Sequence, residues 1–250
     1  MVAVERGSAL VTGASRGLGA HIARRLAADG WRVAVNYLPD REDAERVVAD
    51  ITAAGGSAVA FRADVTDEAD VTALVAAVAA ELGPVQVLVP NATGPQPIID
   101  AADVTWQDHL NQLLFFVKSP TLLMQATLPG MTARGGGRII QIGSDAFERA
   151  APGMSAYSAA KGAQISLTRT WARELGRLGI TVNVVAPGWI PVERHAEVPP
   201  EILADYLAEV PLGRMGTPGE IADVVAFLAS DAARFITGER ITINGGHTID

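Results

Sequence analysis

Short runs of β-branched and small apolar residues alternate along the chain with longer stretches in which apolar positions recur every three or four residues. The short runs lie at 9–12, 32–36, 57–62, 85–89, 138–142, 181–185 and 240–243 and read as seven strands. Between the first two, Leu18, Ile22 and Leu26 fall at four-residue spacing and Gly30 follows as a C-terminal cap, the pattern of a helix packed on a sheet. Further helices are predicted over 41–54 and over 68–82, the latter opened by Thr66 or Asp67 and closed by Gly83-Pro84. Residues 106–128 read as one long helix that Pro120 must kink, unless Pro120 occupies a turn beside a partner helix. Another long helix is expected over 154–178. Strands alternating with helices in this way predict an α/β fold, a doubly wound parallel sheet joined by right-handed crossovers. No linker, repeat or low-complexity segment interrupts the 250 residues, so one domain is expected over 1–250. A less regular excursion rich in Pro and Glu runs from 188 to 218.

Composition narrows the chemistry. The chain is 49% hydrophobic but only 5% aromatic, so its core mass comes from Ala, Val, Leu and Ile. It has no cysteine, which removes disulfides, thiolate metal sites and a thiol nucleophile. His21, His109, His195 and His247 are scattered without helical metal spacing, and no metal site is expected. A net charge of -8 without a basic patch argues against a nucleic-acid partner. The longest apolar run, 71–80, is about half of the roughly 20 residues a membrane span needs. Charged Glu5 and Arg6 leave no secretory hydrophobic region before them. A soluble cytoplasmic protein without a membrane partner is expected, and a bound cofactor must carry any redox chemistry.

One loop offers such a cofactor a seat. Thr12-Gly13-Ala14-Ser15-Arg16-Gly17-Leu18-Gly19 follows the first strand and leads directly into a helix. Bare glycines let backbone N–H groups approach a pyrophosphate, and the helix N-terminus adds partial positive charge. The spacing is G-x-x-x-G-x-G, not the G-x-G-x-x-G of the general dinucleotide fingerprint. About 20 residues on, where an acid would hold a ribose 2′-hydroxyl, stand Asn36 and Tyr37. Arg16 is instead placed to pair with a 2′-phosphate, with Arg41 as a helper and Asp40 as a mild opponent. NADP is therefore expected over NAD. Asp64-Val65 ends the third strand, where Asp64 accepts from an adenine amino group, caps the next helix, or both.

Tyr157 and Lys161 stand four apart in a helical segment and project from one face. A free phenol ionises near about 10, and a neighbouring ammonium lowers that value, making Tyr157 a general acid or base. Ser144, just past the fifth strand, supplies a hydroxyl for a substrate oxygen.

These elements, together with Asn91-Ala92, Asn183, Pro187-Gly188, the Tyr-Ser-Ala-Ala-Lys run and Ile243-Asn244-Gly245-Gly246, make the sequence resemble the short-chain dehydrogenase/reductase family over essentially its whole length. The resemblance implies a Rossmann fold of strand order 3-2-1-4-5-6-7, a nicotinamide cofactor and a homotetramer or homodimer. It further implies that Gly13, Ser15, Arg16, Gly17, Leu18, Gly19, Asn36, Tyr37, Asp64, Val65, Asn91, Ala92, Pro187, Gly188 and Ile190 line the cofactor site with Tyr157 and Lys161, which holds the ribose hydroxyls.

Three positions depart from the family. Its members place an asparagine in the fourth helix that stabilises a local helix distortion and whose main-chain carbonyl holds a relay water; Phe116 stands there. Asn111, five residues earlier, points about 140° away around a helix and does not replace it. Thr93 stands for a glycine near the cofactor, and Val192 for a threonine that contacts the carboxamide.

The resulting reading is an NADP-dependent oxidoreductase transferring hydride between nicotinamide and a small-molecule carbonyl or secondary alcohol, with catalytic Ser144, Tyr157 and Lys161. The alternative is a non-catalytic NADP-binding regulatory or assembly protein. The 188–218 excursion is the expected substrate lid, with Ile202, Leu203, Tyr206 and Leu207 on one apolar helix face and its acids on the wet side. Arg134 and Arg173 resemble positions by which 3-oxoacyl-carrier-protein reductases of this family dock their carrier.

Overall fold

The computed structural model describes residues 7–193 and 199–249. Its centre is a sheet of seven strands: β1 (Ser8–Val11), β2 (Arg32–Tyr37), β3 (Ser57–Arg62), β4 (Val85–Val89), β5 (Gly137–Ile142), β6 (Ile180–Pro187) and β7 (Arg240–Ile243). They lie in the order β3-β2-β1-β4-β5-β6-β7, all pairs parallel. This is the expected doubly wound α/β sheet, with every strand limit within two residues of its expected place.

The helices are α1 (Gly17–Ala28), α2 (Arg41–Ala53), α3 (Glu68–Leu82), α4 (Trp106–Leu113), α5 (Ser119–Ala133), α6 (Ala146–Arg149), α7 (Ser155–Leu175), α8 (Pro200–Glu209) and α9 (Pro218–Ala229). Because successive strand residues point to opposite faces, each strand feeds two cores. Ala9, Val11, Val33, Val35, Val87 and Val89 pack with α1, α2 and α9, whereas Leu10, Ala34, Leu88, Ile139 and Val182 pack with α3, α5 and α7. Among the described residues no helix is long and apolar enough to cross a membrane.

The long helix expected over 106–128 differs in an informative way. It stops being α-helical at Leu113, passes through a wide π-type turn at Leu114–Lys118, and resumes as α5, which continues beyond Pro129 to Ala133. Pro120, near the start of α5, has no N–H to return to the Phe116 carbonyl, so the ordinary α-helical bond is impossible there. The turn widens instead, and the Ser119 N–H bonds the Leu114 carbonyl. The helix expected over 154–178 ends at Leu175 and finishes in a tight 3₁₀ turn, Gly176–Leu178. α9 is not among the helices expected from the sequence, although Thr217 and Glu220 cap each other's backbone N–H groups at its start, at 3.3 and 2.8 Å.

Asn183, 1% exposed in β6, shows how strand ends are tied down. Its Nδ2 donates to the Ile236 carbonyl at 2.9 Å and its Oδ1 accepts from the Glu239 N–H at 3.1 Å, clamping the turn that feeds β7. Replacing it by Leu leaves two backbone groups without these partners. Asn183→Leu is expected to lower stability by about 2 to 4 kcal/mol. Urea unfolding midpoints check this, and an unchanged midpoint refutes the clamp.

Candidate active site

The chain winds outward from β1 to β3 and then returns to place β4 beside β1, so a crevice opens where these two strands end. Gly13 and Gly17 sit in that crevice with φ of +59° and +55°, a conformation that disfavours any other residue. Gly19 is excluded from carrying a side chain for another reason: an added Cβ would collide with the Gly13 carbonyl oxygen and lie 2.5 Å from Asn91 Nδ2.

Two asparagines, Asn36 buried and Asn91 partly buried, grip this loop from opposite flanks. From β4, Asn91 Nδ2 donates to the carbonyls of Thr12 (2.8 Å) and Gly13 (3.1 Å), while the Asn91 and Ala92 N–H groups donate to Thr12 Oγ1 at 2.9 and 3.0 Å. From β2, Asn36 Oδ1 accepts from the Gly13 N–H at 3.3 Å, and Asn36 Nδ2 donates to the Phe61 and Ala63 carbonyls at 3.4 and 3.2 Å. The expected ribose neighbour Asn36 is thus turned inward, and its amide holds the loop rather than facing the crevice. Tyr37, Val65 and Ile190 likewise bury their side chains in the core, with Leu18 partly buried against it. Asp64 opens the approach to α3, its Oδ1 accepting from the Thr66 N–H and hydroxyl at 2.8 and 2.7 Å, and Asp67 is the residue that caps the helix.

The N-terminus of α1 has no side-chain cap and no acid in its first turn, which leaves it suited to an anion. Ser15 is half-buried beside it. Arg16 is mostly exposed, and its guanidinium lies 3.4 Å from Asp40. The proposed helper Arg41 is engaged elsewhere, donating to Glu45 at 2.7 Å along α2.

Ser144 emerges two residues after β5, while Tyr157 and Lys161 lie in the first two turns of α7. Ser144 Oγ accepts from the Ala146 N–H at 3.1 Å, leaving its own proton to donate. Lys161 is 4% exposed, and its Nζ donates to the Ile142 carbonyl at 2.7 Å and to Gln164 Oε1 at 3.3 Å. Tyr157 lines a cavity of about 260 Å³ with Pro95, Ile99, Leu114, Phe115 and Met154, an apolar wall broken by Asp108, Asn111 and Gln112. The departing Thr93 is exposed and bonds the loop wall, accepting from Gln96 Nε2 at 2.9 Å.

A second constellation went unread in the sequence. Asp145, fully buried beside Ser144, accepts from Arg149 at 3.0 Å and from Asn244 at 3.3 Å and lies 3.6 Å from His247. His247 also contacts Glu209 of α8 at 2.9 Å, so this acid is more than a solvated face. Tyr206 of α8 stands edge-on to His247, accepts from the Trp189 N–H at 2.9 Å, and is held above its ordinary ionisation range by burial. Gly188 is bare because a Cβ would lie 2.7 Å from both the Tyr206 hydroxyl and Asn244. Pro187, just before it, accepts from the Asp145 N–H at 3.0 Å. Tyr206 is buried as the expected apolar face requires, but Ile202 is half exposed. Val192 packs near Gly17, and His195 lies outside the described residues. Among the described residues no group of three or more His, Asp and Glu is arranged to hold a metal.

Residues 13–248 match the family described as enoyl-(acyl carrier protein) reductase. The 3-oxoacyl-(acyl-carrier-protein) reductase FabG of Staphylococcus aureus is 41% identical over 241 residues, 96% of this chain and 97% of that protein. A solved short-chain dehydrogenase/reductase of Serratia marcescens matches with a TM-score of 0.92 at 35% identity, covering 98% and 99% of the two chains. A blue fluorescent protein from a metagenomic library, solved in complex with NADPH, matches with a TM-score of 0.90 at 38% identity and the same coverage.

The far end of the 188–218 segment is fixed electrostatically. Arg214 and the Thr217 N–H hold the exposed Glu220 carboxyl at about 2, below its ordinary 4.5. A depressed carboxyl stabilises the fold above its unfolded value and loses that contribution as pH falls through the folded one. Glu220→Gln is therefore expected to melt below the wild type above pH 4.5, with the gap closing towards about 2. Melting temperatures across that range test it; a pH-independent gap sinks the assignment.

Proposed function

The chain belongs to the short-chain dehydrogenase/reductase family and is an oxidoreductase acting on CH–OH and C=O groups, and from that premise we propose a cytoplasmic, NADPH-dependent reductase of a neutral carbonyl compound. The observation that carries this reading is the placement at one sheet edge of the uncapped α1 terminus, the Ser144 hydroxyl, and the Tyr157–Lys161 pair.

The residues fit a dinucleotide. Gly13, Ser15, Arg16, Gly17, Leu18 and Gly19 would cradle the pyrophosphate, with Asn36 and Asn91 holding that cradle in shape, and Asp64, Ala92, Pro187 and Gly188 would complete the walls, backed by the core-buried Tyr37, Val65 and Ile190. NADPH, when bound, supplies the two electrons and the hydrogen that reach the carbonyl carbon. Tyr157 gives the proton to the carbonyl oxygen, Ser144 donates a hydrogen bond to that oxygen, and Lys161 keeps positive charge beside the phenol. The apolar cavity beside Tyr157 takes the body of the substrate, and α8 is the described part of the lid we propose for this subunit. The unit is a single domain acting in a homotetramer or homodimer.

Similarity to the Staphylococcus aureus enzyme favours a second reading, in which the carbonyl is a 3-oxoacyl group on a carrier protein. Arg134 and Arg173 close α5 and α7 at the edge where β5 and β6 begin, the opposite end of the sheet from Ser144. Within one subunit they do not line the approach to Tyr157, so a small free ketone is the preferred substrate.

Two measurements test the proposal. Tyr157→Phe is expected to lose at least about 100-fold in ketone reduction while still binding NADPH; turnover equal to wild type sinks the catalytic assignment. Arg16→Ala should weaken NADPH over NADH by roughly three- to tenfold, a modest effect because the site is exposed, and Asp40→Asn should shift the ratio the other way. Equal loss for both nucleotides removes Arg16 from the cofactor argument.

A further inference from the structure

The buried Lys161 ammonium has a neighbour that its hydrogen bonds do not describe. Its Nζ lies 3.7 Å from the centroid of the Phe116 ring and 5.6 Å from that of Tyr157. The Phe116 and Tyr157 rings meet edge to face, 5.4 Å apart at 86°. Phe116 is itself 3% exposed, directed inward from the middle of the wide turn that Pro120 enforces.

We infer that Phe116 is a positioning residue that holds the Lys161 ammonium on its ring face and so fixes the charge beside Tyr157. The inference rests on the reading of Tyr157 as the proton donor.

The face of a benzene ring carries negative potential, and a cation within about 6 Å of its centroid is attracted, most strongly where water is excluded. Burial alone favours the neutral amine. The Ile142 carbonyl, the Gln164 amide oxygen and the ring face act together against that tendency and favour the ammonium. They also fix its place from three elements: β5, α7 and the wide turn. A branched aliphatic residue at 116 fills similar space but offers no negative face.

Other charges near the phenol are shared by every variant below. Asp108 lines the same cavity from α4. Asp145, beyond Ser144, is paired with Arg149 and faces His247, which in turn meets Glu209 of α8.

The test compares Phe116→Leu and Phe116→Tyr in the full-length protein. Two readouts are taken across pH: kcat/KM for ketone reduction, and the ultraviolet absorbance of tyrosinate, taken as the difference between each protein and its Tyr157→Phe counterpart. Phe116→Leu is expected to move the Tyr157 ionisation and the activity limb that follows it upward by about half a unit to one unit. Phe116→Tyr keeps the ring and is expected to keep the wild-type profile. An unshifted Leu variant overturns the proposal, as does a Tyr variant shifted as far as the Leu variant, because packing and not the ring face would then be the cause. Phe116→Met gives the same decision if the Leu variant does not fold. Full turnover by Tyr157→Phe would bring down the acid–base reading instead, and the absorbance comparison, which needs no turnover, would still decide the role of Phe116.

Discussion

Backbone meets backbone where β1 turns into α1, and most of the site follows from that contact. No side chain fits at Gly19 because Gly13 and Asn91 already occupy the space, and Gly13 and Gly17 adopt angles that few other residues tolerate. The close approach brings α1 down onto the ends of β1 and β4 and aims its uncapped terminus into the crevice. Asn36 and Asn91 convert the arrangement from a flexible loop into a fixed one, since each satisfies backbone groups that would otherwise be buried without partners. The shape of the glycine loop is thus secured by two neutral amides.

Features written in local pattern were legible in the chain. The strands at 57–62, 85–89 and 240–243 appear with the limits that their β-branched runs imply, and the glycine spacing marked its loop without any structure. Features made by distant contacts were not legible. Asp145 and Asn244 are 99 residues apart, and nothing periodic announces that they meet. Asn36 is expected from its spacing to face a ribose, but its inward rotation depends on carbonyls of β3 and the residue after it, which no inspection of β2 supplies. α9 differs from these, because Thr217-Pro218-Gly219-Glu220 is a local start signal followed by an apolar run.

The two halves of the site are built on different principles. The glycine-loop half is held by hydrogen bonds to main chain and carries the exposed, partly neutralised Arg16. The half around Ser144 buries the ionisable Lys161 and Asp145, the latter met by Arg149 and faced by His247. Buried charge is costly unless it is met on several sides, so this half ties together β5, α7, α8 and the residues after β7. Tyr206 and Glu209 of α8 both reach the histidine that faces Asp145, the residue after Ser144.

The wide turn at Leu114–Lys118 arises from the main chain and from Pro120, not from the side chain at its centre. A scaffold whose shape is specified by its neighbours leaves its central residue open to exchange without a change of fold. Position 116 is in that sense a socket, into which an amide, an aromatic ring or an aliphatic group can be set against the same lysine. Exchange at 116 then changes what faces Lys161 while the main chain of the turn keeps its course.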